Sequence, residues 1–104
     1  MLYELRIYDV VPGRMQDLLD RFSHHTLDLF KKHHMKVTNF WVDADESRNK
    51  LYYVFEHENR ASRERNFQAF LEDREWLDLE ERTERNGPFY EKIEVIYMNN
   101  APFM

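Results

Sequence analysis

The chain has 104 residues, of which 42% are apolar, 15% aromatic and 34% charged, and its formal net charge is −5. This length suits one compact domain over residues 1–104, and the apolar fraction is sufficient for a packed core. Lys and Arg are not concentrated in any segment that could bind phosphates, so we expect no nucleic-acid partner. The absence of cysteine excludes disulfides and thiolate metal sites.

The N-terminal segment enters a strand-like pattern at once, without the basic and apolar regions of a signal peptide. No stretch approaches the roughly 20 apolar residues of a membrane span. We therefore expect a soluble, cytoplasmic protein without a membrane partner.

The first half of the chain predicts one strand and one long helix. Over residues 2–9, Tyr3, Leu5 and Ile7 alternate with polar positions, which is the period of a half-buried strand. Val-Pro-Gly at 11–13 ends this strand. A helix of about five or six turns is then predicted to end near residue 34. Its apolar stripe recurs every three or four positions and contains Met15, Leu18, Leu19, Phe22, Thr26, Leu29, Phe30 and His33.

The next segments predict a hairpin. Residues 35–43 and 50–58 have strand character, and a short polar loop joins them. Pairing Trp41 with Tyr52 would place Asn39 opposite Val54 and Val37 opposite Glu56.

The remaining segments predict a second helical layer and a last strand. Asn59 or Ser62 is suited to cap a helix whose apolar stripe is Phe67, Phe70 and Leu71. Asp73 can cap a further turn or two that carry Trp76 and Leu77, and the charge-dense run around them predicts a solvated helix. Asn-Gly-Pro at 86–88 is a stop signal, and residues 89–98 form the last strand.

The predicted order is β-α-β-β-α-β, an α+β ferredoxin-like arrangement. In this fold two helices cover one face of a four-stranded antiparallel sheet. The other face is left open.

Several segments in this order resemble the NIPSNAP family across nearly the whole chain. They are YELRIYDVVPGRMQDLLDRF, HTLDLFKKHHMKV, the Phe-Trp pair of the second strand, FLEDREW and the C-terminal EKIEV with APF. The resemblance implies a homodimer in which two open sheet faces meet as a dimeric α+β barrel. That class also contains small monooxygenases and haem-degrading enzymes, and animal NIPSNAP proteins are linked to vesicle traffic and mitophagy signalling. The family defines no catalytic residues that can be transferred to this chain.

Four of the five histidines lie at 24, 25, 33 and 34. On a helix, residues 25 and 33 would lie roughly 12 Å apart, whereas the ligands of one metal lie about 2 Å from it. We therefore predict no metal and no cofactor. Haem would need a proximal histidine, for which His25, at the edge of the apolar stripe, is the one tolerable candidate. His57 has the parity of the core side, but its polar neighbours favour a solvent-exposed turn.

Strand parity predicts which side chains face the helices. The covered side is predicted to receive Leu5, Ile7, Phe40, Tyr53, Phe55, Ile93 and Val95. The open side is predicted to receive Glu4, Arg6, Tyr8, Asn39, Trp41, Tyr52, Glu56, Lys92 and Glu94.

Two interpretations of the open side remain. In the first, Arg6, Glu56 and Glu94 form ion pairs that fix the register of a dimer. In the second, the face lines a ligand cavity in which Arg6 anchors an anionic or carbonyl oxygen. The other predicted roles are hydrogen bonding for Tyr8 and Tyr52, stacking for Trp41, base catalysis for His25 or Glu56, and lining for Asn39 and Glu94.

The leading functional hypothesis is a homodimeric small-molecule-binding or regulatory module. One alternative is a metal-independent monooxygenase or isomerase that acts on an aromatic or polyketide-like compound. The other alternative is a scaffold for protein interaction. A lined cavity would favour ligand binding or catalysis, and a packed interior would favour the scaffold.

Overall fold

A computed structural model describes residues 1–104. Its four strands are β1 (Leu2–Val10), β2 (Lys36–Val42), β3 (Lys50–His57) and β4 (Tyr90–Met98). Its four α-helices are α1 (Met15–Arg21), α2 (Leu27–Lys32), α3 (Arg60–Glu72) and α4 (Arg74–Thr83). A π-helical segment, Phe22–Thr26, joins α1 to α2, and a short 3₁₀ turn, Glu46–Arg48, lies in the hairpin loop.

The strands form one antiparallel sheet in the order β2-β3-β1-β4. This order and the helical layer on one face confirm the predicted ferredoxin-like fold. The predicted caps are also present, since Asn59 accepts from the Ser62 backbone amide and Asp73 accepts from that of Glu75. None of the helices has the length and apolar character needed to cross a lipid bilayer.

The predicted orientation of β1 is wrong. Glu4, Arg6 and Tyr8 lie opposite Phe55, Tyr53 and Leu51, and all six side chains are buried beneath the helices. Leu5 and Ile7 therefore face the open side of the sheet. The inversion is tolerated because the polar side chains of β1 find partners inside the protein, as described below.

A β-bulge changes the predicted register of β2. Trp41 pairs with Tyr52 as predicted, but Val37 lies opposite Phe55 instead of Glu56. Thr38 and Asn39 of β2 together oppose Val54 of β3. β2 therefore has one extra residue here, which defines a β-bulge. Val37 consequently packs against the core on the covered side.

The long first helix is present, but its middle turn is widened. The π-helical segment starts at Phe22 and ends at Thr26, and both of these residues are buried. Arg21, which precedes it, is also buried. Widened turns of this kind are frequent at functional sites.

Candidate functional site

A cavity of about 430 Å³ lies between the covered face of the sheet and the helices. This volume falls within the range of small-molecule pockets. Its walls are mostly aromatic and aliphatic, and a few polar groups converge on them. The lining residues are Arg6, Tyr8, Arg21, Phe22, Thr26, Phe30, Tyr53, Arg63, Phe67, Phe70, Leu71, Trp76, Leu77, Glu80, Tyr90 and Ile93.

A buried carboxylate organises one end of the cavity. Glu4, with no exposed surface, accepts from Arg6 Nη1 at 2.8 Å and from Arg63 Nε and Nη2 at 2.9 and 3.1 Å. The Nε2 atom of His57 lies 3.0 Å from Glu4 Oε1. The predicted exposure of His57 is therefore wrong, because this contact and the ring of Phe55 bury the imidazole.

The partners of Glu4 keep it ionised. Burial alone would raise the pKa of this carboxyl group, but the hydrogen bonds from His57, Arg63 and Arg6 lower it to about 2. One buried carboxylate is thus shared by two guanidinium groups. The other acidic partner of Arg63 is Glu64, which is exposed at the surface, so the buried groups carry more positive than negative charge. This end of the cavity therefore favours a ligand with a negative or strongly polarised oxygen.

A hydrogen-bonded chain of two tyrosines extends from Arg6. Arg6 Nε donates to the Tyr53 hydroxyl at 3.0 Å, and the hydroxyl oxygens of Tyr53 and Tyr8 are 2.8 Å apart. Burial raises the pKa of Tyr53 well above its ordinary value, so this phenol is neutral at physiological pH. When Tyr53 donates to Tyr8, the Tyr8 proton is free to point into the cavity. Donation from Arg6 to Tyr53 strengthens the chain, because hydrogen bonds in series polarise one another.

Arg6 also has a donor group without a protein partner. Its Nε and Nη1 atoms are bonded to Tyr53 and Glu4, whereas Nη2 makes no hydrogen bond within the chain. No fully buried side-chain nitrogen or oxygen lacks a partner, so Nη2 must contact open space. Because Arg6 is 8% exposed and lines the cavity, we infer that Nη2 faces its interior.

The lining of the cavity also contains a second arginine and a free carboxylate. Arg21 Nη1 donates to Glu84 at 2.8 Å and to Thr83 at 3.1 Å, and its guanidinium lies against the rings of Phe89 and Trp76. Glu80 lies on α4, four residues before Glu84, which follows the end of this helix, and its side chain makes no hydrogen bond or ion pair. Burial raises its pKa, as does the nearby charge of Glu84, while Arg21 acts in the opposite direction.

The structure separates the predicted site residues into two groups. Arg6 and Tyr8 line the cavity on the covered side. The residues on the opposite side of the sheet are Asn39, Trp41, Tyr52, Glu56 and Glu94. The predicted set therefore does not form one site.

The residues of the open face have other contacts. Tyr52 donates to Asp43 at 2.5 Å, and Glu56 lies 3.3 Å from Lys36. Glu56 is therefore no base for a ligand of this cavity. Arg6 is also absent from the open face, so the predicted set of ion pairs with Glu56 and Glu94 does not form.

His25, the other candidate base, is exposed on the surface of the π-helical segment and does not line the cavity. It borders shallow grooves on the outer side of the helices. Another of the clustered histidines, His33, has its Nε2 atom 2.6 Å from Oδ2 of Asp73, the N-cap residue of α4. Nowhere in the chain do three His, Asp or Glu side chains converge as metal ligands do.

Six polar residues of the cavity were not among the predicted site residues. They are Arg21, Thr26, Tyr53, Arg63, Glu80 and Tyr90. Glu80 was included in a solvated helix, although it lies four residues after Trp76 and directly after Leu79, at the edge of the buried stripe of α4. That spacing is the one sequence signal that could have identified it.

The family comparison gives a clear result. The model of the NIPSNAP family matches residues 3–103. A comparison with curated proteins finds no match.

Solved structures show that other proteins share this fold. An uncharacterized NIPSNAP domain protein from Burkholderia xenovorans is similar with a TM-score of 0.85 at 17% identity, covering 100% of this chain and 98% of that one. A NIPSNAP family protein of unknown function from Agrobacterium tumefaciens has a TM-score of 0.86 at 19% identity, with 100% and 91% covered. A protein described as an antibiotic biosynthesis monooxygenase from Nitrosomonas europaea has a TM-score of 0.66 at 10% identity, with 96% and 98% covered. At these identities, the similarities establish the fold alone.

Proposed function

The chain belongs to the NIPSNAP family, and we propose that it binds a small aromatic molecule with an anionic or carbonyl oxygen in the cavity beneath its helices. The observation that carries the proposal is the unpartnered Nη2 group of Arg6 in a cavity of about 430 Å³. A cavity-facing donor of a largely buried arginine, which no protein group pairs with, favours a ligand that supplies the acceptor.

The surroundings of Arg6 support an aromatic ligand. The rings of Tyr8, Phe22, Phe67 and Phe70 are among the cavity walls and offer apolar surface for a flat molecule. The donors of Arg6 and Tyr8 are concentrated at one end, so they would orient a ligand by its oxygen. Because every one of these groups comes from a single chain, each protomer would hold its own ligand.

We also propose that two protomers associate through the open sheet face. Leu5, Ile7, Val54 and Ile96 occupy the centre of that face, and Trp41 is 47% exposed beside them. Four strands of up to nine residues give a face of roughly 20 Å by 30 Å. Its flat area is on the order of 600 Å², to which the uneven surface of the side chains adds. This approaches the ~800 Å² per partner of a standard interface. A second copy of the same face would cover this apolar centre.

The ligand proposal can be tested with two probes, β-naphthol and naphthalene. They share the same fused rings, and only β-naphthol has an oxygen. We expect β-naphthol to bind about tenfold more tightly than naphthalene, the value of one good hydrogen bond to a charged donor. Tyr8→Phe and Arg6→Lys should each reduce this preference, with binding followed by naphthyl fluorescence and folding by near-ultraviolet circular dichroism.

A matched pair of variants tests the place of binding. Leu77→Trp fills the partly exposed wall of the cavity and should weaken both probes, whereas Leu27→Trp, on an exposed position of α2 outside the cavity, should weaken neither. Equal affinity for the two probes, or insensitivity to Leu77→Trp, would contradict the proposal.

A further inference from the structure

We propose that Glu80 is a general base that removes a proton from the carbon next to the carbonyl group of an aromatic ketone bound in this cavity. The inference rests on the proposed function and assigns a reaction class to the same site. The class is enolisation, which underlies isomerisation of unsaturated ketones.

Glu80 is the sole carboxylate, and there is no imidazole, among the residues that line the cavity. The other ionisable groups of the lining are arginines and tyrosines. The arginines stay protonated at physiological pH. Burial raises the pKa of Tyr53 well above its ordinary value and that of Tyr90 to about 12, so these phenols are protonated as well. Glu80 is thus the group of the lining best suited to accept a proton.

The pairing of its neighbours leaves Glu80 free. Arg21, the nearest cation of α1, is committed to Glu84 and Thr83. The groups that face Glu80 are Glu84 just after the end of its own helix, Arg21 on α1 and Tyr90 on β4. Burial and the charge of Glu84 raise the pKa of Glu80, which makes its carboxylate a stronger base.

Two donors of the same cavity are suited to the negative charge that enolisation creates. Arg6 Nη2 and the Tyr8 hydroxyl are donors fixed in place by their contacts with Glu4 and Tyr53. Fixed donors at a developing oxyanion stabilise the transition state because they need no reorganisation.

The proposed step balances without a further reactant. Glu80 takes the proton from the carbon next to the carbonyl group, and the C–H electron pair becomes the carbon–carbon double bond of the enolate. The carbonyl π pair moves to the oxygen, which accepts hydrogen bonds from Arg6 and Tyr8. Return of the proton from Glu80 to a conjugated carbon completes an isomerisation. If the Glu80 carboxyl group first exchanges its proton with solvent, return to the same carbon completes a hydrogen exchange.

The inference can be tested with β-tetralone, a fused aromatic ketone whose enol has the shape of β-naphthol. In heavy water, we expect the protein to replace the hydrogens next to its carbonyl group by deuterium, followed by proton magnetic resonance. Glu80→Gln should slow this exchange by about a hundredfold or more, as is usual for loss of a general base. Glu80→Asp, which keeps a carboxylate, should retain part of the rate, and Glu81→Gln, at an exposed neighbouring position, should leave it unchanged.

The pH dependence gives a second measurement. The exchange rate in excess of the protein-free reaction should rise with pH as Glu80 loses its proton, and this excess rise should be absent in Glu80→Gln. The same variant should still bind β-naphthol, since the donors for its oxygen are intact.

The outcomes distinguish this inference from the binding proposal. A protein that binds β-naphthol but does not catalyse exchange, or a Glu80→Gln variant with an unchanged exchange rate, would overturn the role of Glu80 and leave the binding site in place. A protein that binds neither β-naphthol nor β-tetralone would overturn both.

Discussion

Arg6 Nη1 lies 2.8 Å from Glu4 Oε2, and both side chains project from β1 towards the helices. Glu4 is also bonded to Arg63, so its charge holds two guanidinium groups. We predict that Glu4→Gln lowers the free energy of unfolding by about 3–5 kcal/mol, because removing one partner leaves buried charge without compensation. Urea denaturation at neutral pH measures this loss.

Asp17→Asn is the control for this change. It removes a carboxylate from the Arg14–Asp17 pair, which has the same 2.8 Å separation but lies at the surface. Its cost should be at most about 1 kcal/mol. If the two variants lost equal stability, the buried cluster would have no special role in holding β1.

The same carboxylate makes stability depend on acid pH. Burial would raise the pKa of Glu4, but its hydrogen bonds lower it from 4.5 to about 2, so folding favours the ionised form. This contribution is fully present above pH 4.5 and is lost as the pH falls through the folded-state value of about 2. The difference in unfolding free energy between the wild type and Glu4→Gln should therefore narrow below pH 4.5. A difference that stays constant down to pH of about 2 would contradict the assigned pKa.

The cluster around Glu4 also shows why the sequence alone was insufficient to predict which side chains of β1 face the helices. In β1 the apolar Leu5 and Ile7 alternate with Glu4 and Arg6, and the pattern alone assigns the apolar pair to the core. The correct assignment depends on the register with β3, because a shift by one residue reverses every side chain. That register brings Arg6 beside Tyr53 and Glu4 within reach of His57 and Arg63, partners distant in sequence.

Local patterns were sufficient for the element order and the helix caps. Turn residues and amphipathic periods depend on neighbours in sequence, so they predicted the strands, the caps at Asn59 and Asp73 and the fold itself. The cavity depends on how α1 and α4 meet over the sheet. Arg21 and Glu84 are 63 positions apart in sequence, and no local pattern joins them.

The widened turn at Phe22–Thr26 supports a further prediction. Thr26, 1% exposed, donates from Oγ1 to the Arg21 carbonyl oxygen at 3.2 Å. Thr26→Val keeps the shape but removes this bond, so it should lower the unfolding free energy by about 1 kcal/mol or more, because the carbonyl loses a buried donor. Thr26→Ser should retain most of the stability.

Ser23 offers the matched control within the same turn. Its hydroxyl donates to the Asp20 carbonyl oxygen at 3.3 Å, but it is exposed, so water replaces the bond in Ser23→Ala. Both variants can be compared by urea denaturation. Equal losses for Thr26→Val and Ser23→Ala would show that the buried hydroxyl does not stabilise the π-helical segment.

The proposed dimer predicts that a charge on the open sheet face separates the protomers. Leu5 lies on the central strand β1 and faces away from the helices, so Leu5→Glu would place a carboxylate at the centre of the interface. Sedimentation equilibrium should give a dimer for the wild type and a monomer for Leu5→Glu at micromolar concentration. Leu27→Glu, at an exposed position on the helical layer, should remain a dimer. A monomeric wild type would refute this proposal. Because Arg6, Tyr8 and Glu80 belong to one chain and lie on the other side of the sheet, monomeric Leu5→Glu should still bind β-naphthol.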